Sequence, residues 1–116
     1  MLAPEHRLRS SSLFSETVRR GRKKGTRTVV VYLHDRTDTV VSGGPRMGLV
    51  VSKAVGNAVT RHSVSRRLRR VTAVLLEEFS LEPWQSLVIR ALPASGAATS
   101  AELESDVRRA LRRLTA

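Results

Sequence analysis

There is no cysteine in this 116-residue chain, which excludes disulfides and thiolate metal sites and suits a reducing cytoplasm. The three histidines, His6, His34 and His62, are scattered and show no metal-ligand spacing. Acidic residues are scarce, ten against 21 lysines and arginines, and no clustered carboxylates or nucleophile–base pair can be assembled from them. A hydrolytic site carried by the protein itself is therefore not expected. Asp35 and Asp38 in "DRTD" could hold Mg²⁺, although a polar turn is the simpler reading. No apolar run approaches the ~20 residues of a membrane span. The opening "MLAPEHRLRSSSLF" lacks the apolar centre of a secretory signal. Aromatic residues make up only 3% of the chain. The most basic helical segment carries no bulky aromatic on its apolar side before Phe79, which disfavours a membrane-surface role. The expectation is a soluble cytoplasmic protein.

What is present is positive charge. The formal net charge is +11 and the isoelectric point is near 11.7, more than solubility requires and suited to a nucleic acid or an anionic surface. Eighteen of the 21 basic residues are arginine, whose planar fork suits bidentate phosphate contact and stacking. A base composition favouring arginine codons could account for arginine over lysine. It does not account for the excess of basic over acidic residues.

One domain spanning residues 1–116 is expected, large enough for a single modest core. "SSSLFSETVRRG" predicts a short helix, with serine N-caps at 10–12 and Gly21 as its stop. "RRGRKKGTR" (19–27) reads as a basic loop. "TVVVYLH" (28–34) and "RMGLVVS" (46–52) read as strands, with a possible short strand at 38–41 between them. A long helix from Gly56 or Asn57 to about Phe79 follows, then a buried strand "SLVIRAL" (86–92). A final helix over 100–114 begins with a Thr99/Glu102 capping box. The order is α-β-β-β-α-β-α, an α+β sandwich with helices packed on a sheet.

Alternation along the strands assigns two faces. Val29, Val31 and Leu33, Met47, Leu49 and Val51, and Leu87, Ile89 and Ala91 form the core rows. Thr28, Val30, Tyr32 and His34, Arg46, Gly48, Val50 and Ser52, and Ser86, Val88 and Arg90 form the opposite rows. This second face is either a partly open binding surface or one covered by the first helix through Phe14 and Val18. Both readings can hold in part. Trp84, the only tryptophan, is expected to plug the core or cover an edge.

The segment "KAVGNAVTRHSVSRRLRRV" (53–71) crowds one lysine, five arginines and a histidine together with no acidic residue. Like charges at helical spacing cost a few tenths of a kcal/mol per pair. At 100° per residue, Val64, Leu68, Val71 and Leu75 form one apolar stripe. His62, Arg66, Arg69 and Arg70 fall opposite it, and Arg61 and Arg67 flank it on either side. An arbitrary solvated face would carry acidic partners at i±4, and none occurs before Glu77. At the head of the helix, Gly56 permits unusual dihedrals, Asn57 can cap, and the first-turn amides attract anions, with Lys53 close by. "GNAVTR" lacks P-loop spacing, so a nucleotide-binding reading gains little.

Together, "RMGLVVSKAVGNAVTRHSVSRRLRRV" resembles the signature of the protein subunit of bacterial ribonuclease P, roughly R-x-G-x-x-V-S-K-x-x-G-N-A-V-x-R-N-R-x-K-R-x-x-R. The resemblance extends from about Arg7 to Leu114, taking in "RLRSSSLF" and the strand holding Tyr32. Lys53, Gly56, Asn57, Ala58, Val59, Arg61, Arg66 and Arg69 match the pattern. His62, Ser63 and Ser65 depart from its Asn, Arg and Lys, while Arg67 and Arg70 add cations nearby. Val18 stands where the family usually has an aromatic.

The resemblance implies an α-β sandwich with an unusual left-handed crossover, where crossovers are nearly always right-handed. It also implies a catalytic RNA as partner and precursor tRNA as substrate, its 5′ leader lying in a cleft of the sheet. The implied activity is Mg²⁺-dependent removal of that leader, with the metal bound mainly by the RNA. The RNA-binding residues expected on this basis are Lys53, Asn57, Arg61, His62, Arg66, Arg67, Arg69 and Arg70. The expected leader cleft comprises Phe14, Tyr32, Arg46, Ser52 and Arg90. The alternative is a non-catalytic RNA-binding protein such as a small ribosomal protein.

Overall fold

The computed structural model describes residues 11–35 and 46–116. Three helices pack on one four-stranded sheet. In chain order the elements are α1 (Ser11–Arg20), β1 (Arg22–Gly25), β2 (Val29–Asp35), β3 (Arg46–Val50), α2 (Ala58–Phe79), β4 (Gln85–Ala91) and α3 (Ser100–Thr115). The order α-β-β-β-α-β-α is the expected one, but its first strand is β1 at Arg22–Gly25, where a loop was expected. The possible strand at 38–41 lies outside the described residues.

The basic stretch expected as a loop is instead β1. It runs antiparallel to β2, with Arg22 opposite Leu33 and Gly25 opposite Val30. Thr26 closes the hairpin: its amide donates to the Val29 carbonyl at 2.8 Å, and its hydroxyl oxygen accepts from the Val29 amide at 3.1 Å. β1 is an edge strand with one neighbour, so charged side chains can populate both its faces and protect the open edge from further pairing. Apolar alternation, the usual strand signal, is therefore absent. Gly21 is required where α1 turns into β1, because a Cβ there would lie 2.4 Å from the Thr17 carbonyl oxygen.

The sheet order is β1-β2-β4-β3. β2 and β4 are antiparallel, whereas β3 and β4 are parallel and are joined by the crossover through α2. The predicted core rows are confirmed. Val29, Val31, Leu33, Leu87 and Ile89 are fully buried, together with Val64, Leu68 and Leu75 of α2 and Leu103, Val107 and Leu111 of α3. Leu49 and Val51 pack against this cluster from its margin.

Caps fix the helices in register. The Asn57 side chain accepts from the Thr60 amide at 2.9 Å, and Gly56 just before it sits at φ +154°, a conformation side chains resist. The capping box on α3 is complete. Thr99 Oγ1 accepts from the Glu102 amide at 3.1 Å, and Glu102 accepts from the Thr99 amide at 2.8 Å. Arg108 of α3 donates to both Glu78 of α2 (2.9 and 3.0 Å) and Glu104 (3.1 Å), locking the two helices side by side.

Two expectations about individual residues are corrected. Thr28 does not share the second face with Tyr32. It precedes β2, and its buried hydroxyl donates to Asp106 of α3 at 2.6 Å, because strand alternation stops where the strand does. Of the two roles expected for Trp84, the core plug is overturned: it lies 44% exposed in the turn before β4, while Leu81 of the same connection joins the core.

Candidate nucleic-acid interface

Two cationic surfaces meet near the head of α2. The first is the outward face of that helix. His62, Arg66, Arg69 and Arg70 are exposed there, opposite the buried stripe of Val64, Leu68, Val71 and Leu75. Among the described residues none of these four has an ion-pair partner. The charge of the three arginines is thus left for an external anion. Val59 is 79% exposed at the start of the same face, and Ala58, Val59, His62, Ser63 and Arg66 line a shallow open recess. This mix of apolar and cationic lining suits an unstacked base beside a phosphate.

The two flanking arginines are held differently. Arg67 donates through Nη1 to the carbonyl oxygen of Ala98 at 2.8 Å. It is partly buried and fastens α2 to the segment leading into α3. Arg61, on the other flank, is half-buried, and its Nε is enclosed without a hydrogen-bond partner. Sequence spacing placed both at the border of the face. It did not show that Arg67 is already engaged.

The second surface is the sheet face away from α2 and α3. β-Sheet register aligns its residues in rows: Gly25, Val30, Arg90 and Val50, then Lys23, Tyr32, Val88 and Gly48, then His34, Ser86 and Arg46. α1 lies over part of this face. Thr17, Ser86 and Val88 are fully buried, and Tyr32 keeps 6% exposure. His34 Nε2 sits 3.7 Å from Glu16 of α1. The row of Val30, Arg90 and Val50 remains more open, with Arg90 exposed over the Tyr32 ring at 5.7 Å from its centroid.

Phe14 is partly buried on α1, and Arg46 is partly buried in the row with His34 and Ser86. Ser52 and Lys53 are exposed just past the end of β3. There the Ser52 hydroxyl oxygen accepts from the Ala54 amide at 3.4 Å and caps a single 3₁₀ turn. The chain then passes through Gly56 and Asn57 into α2, so Ser52 and Lys53 connect the end of β3 to the head of the cationic helix. Lys23, absent from the residues expected in the cleft, extends the Tyr32 row to the sheet edge. The signal was the alternation within "RKK", visible only once that stretch is known to be a strand.

The resolved electrostatic shifts lie away from this surface. Hydrogen bonding to Arg108 holds the Glu78 carboxyl below its ordinary range. The Thr99 backbone amide, followed by its hydroxyl, does the same for Glu102. These acids serve the scaffold. Among the described residues no three His, Asp or Glu side chains come together to hold a metal ion.

A model of the ribonuclease P protein family matches residues 2–115. The chain belongs to that family. It is 54% identical to the ribonuclease P protein component of Corynebacterium urealyticum, over 99% of each chain. It is 52% identical to that of Corynebacterium jeikeium, over 97% of each. Its fold is that of the RNase P protein of Staphylococcus aureus, with a TM-score of 0.74 at 21% identity, covering 92% of this chain and 93% of the other.

As a ribonuclease P protein component, the chain is a subunit of the ribonucleoprotein endoribonuclease that processes the 5′ ends of tRNA, and its partner is RNA. The alternative of a small ribosomal protein is not favoured. Among the described residues no helix is long and apolar enough to cross a membrane.

Proposed function

We propose that the outward face of α2 docks on the catalytic RNA while the sheet cleft takes the 5′ leader of precursor tRNA. The observation that carries this reading is the row of His62, Arg66, Arg69 and Arg70, exposed on one helix face without acidic partners among the described residues. Lys53, Asn57 and Arg61 extend that contact at the head of the helix. Arg67 borders it while anchored to Ala98.

In the cleft, Arg90 presents its guanidinium, held over the largely buried Tyr32 ring, to a single-stranded base, supported by Phe14, Arg46 and Ser52. Stacking and cation contacts of this kind tolerate sequence variation, as a leader that differs between tRNAs requires. Cleavage chemistry belongs to Mg²⁺ ions bound mainly by the RNA. The protein lowers the repulsion between two polyanions and positions the leader. The enzyme works in the cytoplasm.

Affinity purification of the tagged chain from cells tests the reading. One defined RNA of a few hundred nucleotides is expected to co-purify, and recovery of ribosomal subunits in its place would contradict it.

A further inference from the structure

A third group of cations lies where neither surface reaches. α3 carries all of its acids in its first half, and each is engaged. Glu102 pairs with Arg27 at 3.1 Å, Glu104 with Arg108 at 3.1 Å, and Asp106 with the Thr28 hydroxyl at 2.6 Å. Its second half is basic: Arg108, Arg109, Arg112 and Arg113. Glu102, Asp106, Arg109 and Arg113 are spaced four, three and four, so they share one flank of the helix. The bonds of Glu102 to Arg27 and of Asp106 to Thr28 turn that flank towards the β1–β2 hairpin. From the hairpin, Arg22 and Lys24 face α3, because they pair with the core-facing Leu33 and Val31.

The ordinary explanation for basic residues in a last turn is the helix dipole. Here the C-terminal carbonyls already have a cation, since Arg22 Nη1 donates to the Leu114 carbonyl at 2.9 Å. Lys24 and Arg113 are additional, and among the described residues neither has an ion-pair partner, whereas Arg112 lies on the Arg108 flank and acts on Glu78. Arg109 touches Asp106 only at 3.8 Å and keeps 68% of its side chain exposed. Arg109 and Arg113 form a like-charged i,i+4 pair, unfavourable unless an anion lies over both.

We infer that the edge formed by β1 and the C-terminal half of α3 is a second binding surface for RNA backbone phosphates, separate from the α2 face and from the cleft. It rests on the reading that the partner is the catalytic RNA. α2 packs against the other flank of α3 through Glu78 and Arg108, and the cleft is on the other side of the sheet. One RNA segment therefore cannot occupy all three. Among the described residues the surface offers cations without an exposed aromatic or hydrogen-bonding cradle, so it fits phosphates of a folded RNA and reads no sequence.

The test is a triple variant, Lys24→Gln, Arg109→Gln and Arg113→Gln, assayed in the reconstituted holoenzyme beside Arg66→Ala/Arg69→Ala. Affinity for the catalytic RNA should fall on the order of tenfold at physiological salt, and the salt slope should fall by about two to three units. The preference for precursor over mature tRNA should not change. Arg109→Lys/Arg113→Lys should retain the slope. Wild-type affinity and slope in the triple variant overturn the inference while the α2 variant still weakens binding. If neither variant alters binding, the reading of the RNA partner fails as well. Loss of leader preference would instead assign these cations to the cleft, and loss of self-association would make the edge a contact between copies of the chain. Either result overturns the inference.

Discussion

The guanidinium carbon of Arg90 lies 5.7 Å from the centre of the Tyr32 ring, from the neighbouring strand and on the same face of the sheet. The pair is diagonal in the ladder, since Arg90 is opposite Val30 and Tyr32 is opposite Val88. The ring body is buried under α1 while the cation above it is exposed. The buried ring supports the guanidinium, and the exposed guanidinium plane is the surface on which a single-stranded base can stack.

Arg90→Gln should therefore weaken precursor tRNA binding more than mature tRNA binding and lower the salt slope by about one unit, with the melting temperature unchanged. Tyr32→Ala should weaken binding with the same preference for precursor tRNA but leave the salt slope unchanged, and it should destabilise the fold by about 3 kcal/mol, the order seen when a buried aromatic is truncated. Equilibrium binding of the two tRNAs, with thermal melts of each variant, checks both. Equal weakening for the two tRNAs in Arg90→Gln would make this pair a packing feature.

The Arg66→Ala/Arg69→Ala variant addresses the helix face. Both side chains point away from the buried stripe, so folding should be preserved. Affinity for the catalytic RNA should drop, and the salt slope should fall by about one unit for each phosphate no longer neutralised. Titration at several salt concentrations measures both quantities, and unchanged values would remove the helix face from the interface.

Arg67, one position along, should behave in the opposite way. Its bond to the Ala98 carbonyl joins α2 to the segment before α3. A charge-assisted bond at a partly buried site contributes about 1 kcal/mol or more. Arg67→Ala should lower stability by that order in denaturant unfolding, with a smaller effect on RNA affinity than Arg66→Ala/Arg69→Ala.

Much of this division was legible in the sequence. The 3.6-residue period of Val64, Leu68, Val71 and Leu75 fixes which way α2 faces, and strand alternation found the core rows. The capping box at Thr99 and Glu102 marked the start of α3. What sequence could not show was set by tertiary contacts. An edge strand needs no apolar face, so "RKK" has the composition of a loop and nothing in its pattern places Lys23 beside Tyr32. Strand alternation ended one residue short of Thr28, which turned instead towards Asp106. Arg67 and Arg66 are adjacent cations, and only the position of Ala98 separates their roles. Burial of Tyr32 depended on where α1 crosses the sheet, which residue spacing does not encode.

Acid should loosen the α2–α3 contact. Arg108 depresses the Glu78 carboxyl and the Thr99 amide depresses that of Glu102. A folded-state pKa lowered below its unfolded value contributes stability above the ordinary carboxylate range, and that stability is lost as pH falls through the folded value. Melting temperature should decline across and below the usual carboxylate titration range, and Glu78→Gln should flatten part of that decline. An unchanged acid limb in the variant would show that the Glu78–Arg108 pair contributes nothing to it.

The central claim is that the chain assists cleavage through its cationic surfaces, with the chemistry residing on the RNA. The most direct measurement is the rate of precursor tRNA cleavage by the cognate RNA as Mg²⁺ is lowered, with and without the protein. The RNA alone is predicted to work only at high Mg²⁺ and salt, and adding the protein should restore cleavage at low Mg²⁺, mainly through substrate affinity and metal binding at the RNA site. Failure of the protein to rescue the RNA at low Mg²⁺, or Mg²⁺-dependent cleavage by rigorously RNA-free protein, would contradict the account.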